Sequence, residues 1–299
     1  MRFFIFCFGW FFCNQFHESS ICAFVFLQLK ARAIDADERV AGYRIIIARR
    51  ISFVLTLLLT IYYLLQNMPK SYKHLFFDLD HTLWDFDKNS RIALKKLYEE
   101  FDLKSRGIGD FDALFKAYNV HNDKLWERYR RGFIKRDELR WKRMWLMLLD
   151  FKVADTALAN EISTAYLEIL PMQTLLIPHA KEVLEHCKGR YEMHLITNGF
   201  ETTQRLKLQY SGISRYFRQL ITSEKSNSMK PHADIFAYAL KITDARMEDS
   251  IMIGDAIDVD ILGAINAGWD TVYFNPNKVV HERKPTYEIG HLEELMRIF

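Results

Sequence analysis

Residues 73–87 read KHLFFDLDHTLWDFD, and the fold follows from how this stretch is built. Lys73–Leu79 is an apolar run that ends in carboxylates, without polar alternation. Such a run suits a strand buried on both faces of a parallel sheet. Asp78 and Asp80 are two residues apart, so on an extended backbone their side chains point the same way. A pair of carboxylates at the end of a buried strand is costly unless a cation or a transferring group compensates it. Open α/β sheets bind their ligands at that end of the strands.

Further along, similar short runs occur at Met193–Thr197, at Leu220–Thr222 extended by Ser223, at Ser250–Gly254 and at Thr271–Phe274. Helical patterns at Ala180–Lys188, Thr202–Ser211, Asp234–Ile242 and Asp258–Ala267 separate them. Strands alternating with helices predict an α/β fold, a Rossmann-like parallel sheet with helices on both faces. Residues 88–170 differ: Asp110–Arg131, Asp137–Asp150 and Asp155–Leu170 carry apolar residues at helical spacing. There Phe115, Tyr118, Trp126, Trp141 and Trp145 read as the core of a helical second lobe inserted after the first strand. A lobe over a sheet edge can close on a ligand.

The chain has 299 residues, 49% hydrophobic and 26% charged, which excludes a disordered or collagen-like protein. Net charge is +3, and the first 67 residues hold seven of the 41 basic and four of the 38 acidic residues. Residues 68–299 are therefore formally neutral, which argues against a polyanion groove and a nucleic-acid partner. Cys7, Cys13 and Cys22 also lie early, leaving Cys187 alone in the rest, as a reducing compartment would allow. Residues 1–67 thus read as a hydrophobic extension foreign to the remainder, with Met68 the expected start and the cytoplasm the expected location. The alternative is a membrane anchor at Ile51–Leu65, which follows Arg49-Arg50 and contains no charge.

Polar groups recur at the ends of the other strands: Thr197-Asn198-Gly199, Lys230-Pro231 before a helix, and Gly254-Asp255 with Asp258 and Asp260 just beyond. Together they suit phosphoryl transfer. Carboxylates form a hard oxygen site for Mg²⁺, and a carboxylate can serve as nucleophile. A hydroxyl, a backbone amide and a lysine can hold the phosphoryl oxygens.

The order DxDxT, strand-end Thr, Lys-Pro and GDxxxxD resembles the haloacid dehalogenase superfamily over residues 70–299. The resemblance implies a core of 68–87 and 172–299 and a helical cap at 88–171. It implies Asp78 as nucleophile and metal ligand, and Asp80 as acid/base that lends its backbone carbonyl to the metal. Thr197, Asn198 and Lys230 would bind phosphate, Asp255 the Mg²⁺, and Asp260 would be the supporting acid. Asp258 is the nearby competitor, better suited to capping a helix. An acid two residues after the nucleophile distinguishes phosphate-ester hydrolysis from dehalogenation, because it can protonate a leaving alkoxide.

The strings YKHLFFDLDHTLWDFDKNS, LITNGF, MKPHADIF and GDAIDVDILGAINAGWDT resemble the YjjG-type pyrimidine 5′-nucleotidase branch. That implies nucleoside monophosphates as substrates, namely UMP, dUMP and dTMP, with Mg²⁺ as cofactor. The rival reading is a phosphatase or mutase of small sugar phosphates or phosphoglycolate. A catalytically idle module disagrees with the intact acidic set. Of the weaker signals, His81 reads as a loop residue, and His179, His186 and His194 show no metal-ligand spacing. Arg128–Arg143 reads as a solvated helix face, with nucleotide contact as the alternative. Trp84 and Phe86 fall in a flap after the first strand, where either gating or ordinary packing would suit them.

Overall fold

The computed structural model describes residues 50–58, 60–61 and 70–299. Residues 50–58 and 60–61 are helical. Among the described residues no helix is long and apolar enough to cross a membrane. The rest of the expected N-terminal extension, with Met68 and part of Ile51–Leu65, lies outside the described residues. The chain divides after Pro69 into two units, and the second, residues 70–299, holds every motif.

Six parallel strands form one sheet in the order β3-β2-β1-β4-β5-β6. They are β1 (His74–Phe77), β2 (Glu192–Thr197), β3 (Phe217–Thr222), β4 (Ser250–Gly254), β5 (Asp270–Phe274) and β6 (Tyr287–Ile289). The chain winds outward from β1 to β3, then crosses back to place β4 on the other side of β1. The crevice beyond the carboxyl ends of β1 and β4 is therefore the topological switch point, where such sheets bind ligands.

The uninterrupted apolar run of β1 is explained by burial on both faces. Leu75 and Phe77 join the larger core with Leu195, Ile251 and Ile253. Phe76 faces the other way, against Trp269, Met252 and Phe236. The sequence runs locate the strands well, except that β3 begins three residues earlier than read and Ser223 opens the next helix. β6, three residues long, went unpredicted.

Four helices connect β1 to the second half of the chain: α1 (Phe86–Glu100), α2 (Phe111–Arg130), α3 (Arg136–Asp150) and α4 (Thr156–Ile169). Aspartates start three of them. Asp85, Asp110 and Asp155 each accept a hydrogen bond from a first-turn amide, satisfying donors that the helix cannot. Tyr118, Met144, Met147, Ile162 and Tyr166 are fully buried between these helices. The remaining helices are α5 (Ala180–Cys187), α6 (Glu201–Tyr210), α7 (Ser223–Ser226), α8 (Ala233–Thr243), α9 (Leu262–Asn266) and α10 (Leu295–Ile298).

Candidate active site

The amide of Asp78 donates to the carbonyl of Ile253 at 2.8 Å, which locks the end of β1 to β4. The chain then turns tightly, with the amides of Leu83 and Trp84 both donating to the Leu79 carbonyl. His81 takes a left-handed conformation (φ 64°) and is exposed, in keeping with a loop role. The turn carries buried Thr82 under the site, where its hydroxyl donates to Asp255 Oδ1 at 2.9 Å. Trp84 is fully buried, with its indole N–H donating to the Gln173 carbonyl at 3.2 Å. It is a packing residue, and the gating alternative for it is corrected.

Lys230 is 1% exposed. Its ammonium lies 2.5 Å from Asp78 Oδ1, 2.7 Å from Asp260 Oδ1 and 2.7 Å from the carbonyl of Ile196. Burial alone would push this ammonium's pKa down, but the two carboxylates more than offset that and hold it above the ordinary lysine range. Asn198 fixes the loop that delivers it. The Asn198 side chain accepts from the Lys230 amide at 2.8 Å and donates to the Lys230 carbonyl at 2.9 Å. With its oxygen and one N–H so engaged, Asn198 holds the Lys230 loop, and its second side-chain N–H and its main chain are what it has left for an anion.

Asp78, Asp255 and Asp260 each bring a carboxylate oxygen within 4.8 Å of the others. Burial, with Asp260 and Asp255 adding to it, pushes the Asp78 carboxyl well above its usual range. Burial and the charge of Asp260 push Asp255 up to about 7. Two buried acids and a half-buried one beside a single ammonium leave the cluster short of positive charge. A hard, all-oxygen donor set in that condition fits a divalent cation such as Mg²⁺.

Asp260 reaches this cluster because Gly254 has no side chain. A Cβ at Gly254 would collide with the Asp260 carboxylate. Residues Ile257–Ile261 form a π-helical turn that starts with the Ala256 amide donating to Asp260 Oδ2 at 3.1 Å. Asp260 is thus 1% exposed, whereas the Asp258 side chain is 71% exposed beside Arg283. Asp258 does not cap this turn, so that expectation is corrected.

Asp80 stands apart from the acidic cluster. Its Oδ1 receives Lys207 Nζ at 2.5 Å, and its Oδ2 receives Gln204 Nε2 at 2.9 Å. Gln204 also lies 2.7 Å from the hydroxyl of Thr197, to which the Gly199 amide donates at 3.1 Å. Lys207 is buried over the Trp84 ring. Gln204 and Lys207 were missed in the sequence. They lie on α6 beside buried Leu208, a polar pair within a core-facing stripe, and that placement was the available signal.

A cleft of about 300 Å³ opens over these groups. Phe86, Trp126 and Phe200 line it, along with Asn122, Asp123, Arg130 and Arg143. Arg143 is only 4% exposed, so the reading of 128–143 as a solvated face is corrected at this residue. At the opposite end of the strands, His74, Glu192 and His194 come within 4.8 Å of one another, a grouping that sequence spacing hid because it forms across β1 and β2. There Glu192 is paired with Arg218 at 2.5 Å and His194 stacks on Phe76.

A profile of haloacid dehalogenase-like hydrolases matches residues 72–268. The chain is 32% identical over 233 residues to the HAD-hydrolase YfnB of Bacillus subtilis, covering 77% of this chain and 96% of that one. It is 32% identical over 229 residues to the pyrimidine 5′-nucleotidase PynA of Streptococcus pneumoniae, covering 75% and 94%. A crystal structure of Bacillus subtilis YfnB bound to magnesium, described as revealing interdomain movement, superposes with a TM-score of 0.67 at 30% identity. That superposition covers 77% of this chain and 99% of YfnB. The acidic strand-end site and the doubly wound sheet define a hydrolase, and the chain belongs to the haloacid dehalogenase-like hydrolase family.

Proposed function

We propose that this protein is a Mg²⁺-dependent phosphomonoesterase that acts on pyrimidine nucleoside 5′-monophosphates, such as UMP, dUMP and dTMP, through a phosphorylated Asp78. The observation that carries the reading is the cluster of Asp78, Asp255 and Asp260 beside the buried Lys230, built for a charged, oxygen-rich ligand and short of one cation. The pyrimidine part rests on similarity to PynA and on the aromatic-lined cleft.

In this mechanism an Asp78 carboxylate oxygen attacks phosphorus, and the bond to the ester oxygen breaks. Asp80 gives its proton to the departing alkoxide, then takes one from a water that attacks phosphorus of the acyl-phosphate, freeing phosphate and Asp78. Lys230 and Thr197 hold phosphoryl oxygens, and Asp260 orients Lys230. Asp78, Asp255 and the Asp80 carbonyl would hold Mg²⁺, which supplies charge compensation at the phosphoryl group. The helices of residues 88–171 act as a cap over the core of 68–87 and 172–299, excluding bulk water and contacting the nucleoside.

The experiment is a ranking of kcat/KM under one Mg²⁺ condition for dUMP, dTMP, UMP, AMP, GMP, phosphoglycolate and glucose phosphates. Pyrimidine nucleotides should lead. If phosphoglycolate or a sugar phosphate led by more than about tenfold, the nucleotidase reading would fail.

A further inference from the structure

Arg143 has no carboxylate within 4.0 Å among the described residues, although it is 4% exposed. A buried cation without an anion is expensive, and removing water from it is repaid only by good partners. Its present partners are weak ones. One guanidinium nitrogen donates to Asn122 Oδ1 at 3.0 Å, and the group lies 5.2 Å from the Tyr166 ring centroid. The Nε–H is buried with no acceptor. Guanidinium carries five donors and no acceptor, so most of its hydrogen-bonding capacity is unspent. The residue lines the same cleft as Asp78 and Lys230.

Its surroundings fix its aim. Tyr118 and Tyr166 are both fully buried and share a 2.7 Å hydrogen bond, and the Tyr118 hydroxyl lies 3.4 Å from Asn122 Oδ1. Asn122 Oδ1 is therefore engaged from the protein side. The Asn122 NH₂ donates to Asp123 Oδ1 at 3.4 Å, which leaves its second hydrogen for the cleft. The polar end of the cleft thus sets the donors of Arg143 and Asn122 beside the acceptor carboxylate of Asp123, while Phe86, Trp126 and Phe200 supply flat apolar walls. A pyrimidine ring is flat and carries carbonyl acceptors beside an N–H or NH₂ donor, which such a mixed lining between apolar walls matches.

Building on the pyrimidine reading above, we infer that Arg143, oriented by Asn122, is a specificity residue that hydrogen-bonds a carbonyl oxygen of the pyrimidine ring. The 2-oxo group is the acceptor shared by uracil, thymine and cytosine. Adenine has none.

The test measures kcat/KM of the full chain for dUMP and for deoxyribose 5-phosphate, which carries no base. The wild-type preference for dUMP should fall roughly 10- to 150-fold in Arg143→Gln, the worth of one charge-assisted hydrogen bond. Arg143→Lys should restore little of it, because an ammonium lacks the planar fork. Should both variants fail to fold, the wild-type enzyme still answers. Deoxyribosylbenzene 5′-phosphate, with a flat ring and no carbonyl, should be disfavoured against dUMP by a similar factor.

Equal losses on dUMP and deoxyribose 5-phosphate would mean a merely structural role and overturn the inference. So would a wild-type enzyme indifferent to the carbonyls. A wild-type enzyme that ignores dUMP but hydrolyses phosphoglycolate would instead sink the nucleotidase reading itself, and Arg143 would then be tested as a carboxylate reader.

Discussion

The ammonium of Lys207 sits 2.5 Å from Asp80 Oδ1, and their side chains are 3% and 25% exposed. Helix α6 thus reaches under the loop after β1 and grips the one acid of the DxD pair that does not join the metal cluster. Burial pushes the Lys207 ammonium's pKa down, with Asp80 opposing. The Trp84 face 4.3 Å away stabilises the charged form further. Asp80 is therefore held in place from two residues of α6, Lys207 and Gln204, while Lys230 holds Asp78.

Lys207→Met should lower kcat for dUMP between roughly tenfold and a hundredfold, part of what a well-placed acid/base group contributes, with KM little changed. Nitrophenyl phosphate, whose leaving group needs little protonation, should be affected less. A rise in KM with kcat intact would show that Lys207 contacts substrate instead. The pair also bears on stability. Asp80→Asn combined with Lys207→Met should be less destabilising than Lys207→Met alone, since no buried charge is then left unpaired, and a thermal melt series reads this.

Metal binding should depend on pH with a definite sign. Asp255 has a folded pKa of about 7 against an ordinary 3.8. Without metal, its contribution to stability is full below about pH 4 and is lost as pH rises through about 7. Asp78, also raised, acts in the same direction. Mg²⁺ competes with these protons. Saturating Mg²⁺ should therefore raise Tm more at pH 8 than at pH 5.5, and EDTA should erase the gain. Equal gains at both values would contradict the cluster as the metal site.

Gly254→Ala should displace Asp260, because the new methyl occupies the space of its carboxylate. Overpacking of this kind costs about 1–3 kcal/mol. Lys230 would also lose its partner at 2.7 Å, so Mg²⁺ and phosphate affinities should fall together. Calorimetric titration of the variant checks this, and unchanged affinities would count against Asp260 as the residue that orients Lys230.

What the sequence disclosed, it disclosed locally. Asp78, Thr197 and Asp255 end apolar runs, and strand ends at the switch point are where a doubly wound sheet gathers its chemistry. Lys207 and Asp80 are 127 residues apart, and nothing in either segment announces the pairing. Arg143 was legible in part. It stands four residues after Leu139 and four before Met147, on the buried stripe of α3, but the surrounding lysines and arginines masked that periodicity. The GDxxxxD spacing favours Asp260 over Asp258, and the π-helical turn shows how they part, swinging one out to solvent and the other under Gly254. β6 is too short to carry an alternation of its own.

The most direct test of the central claim is to find the phosphoryl group. Asp80→Asn should still accept phosphoryl from nitrophenyl phosphate in the presence of Mg²⁺ but release it slowly, because no base activates water. After an acid quench, peptide mass spectrometry should place the modification on Asp78, and the Asp78→Asn enzyme should carry none and turn over at least about 10³-fold more slowly than wild type. A phosphoryl group on another residue, or Asp78→Asn retaining activity within about tenfold of wild type, an effect smaller than loss of a nucleophile allows, would contradict the account.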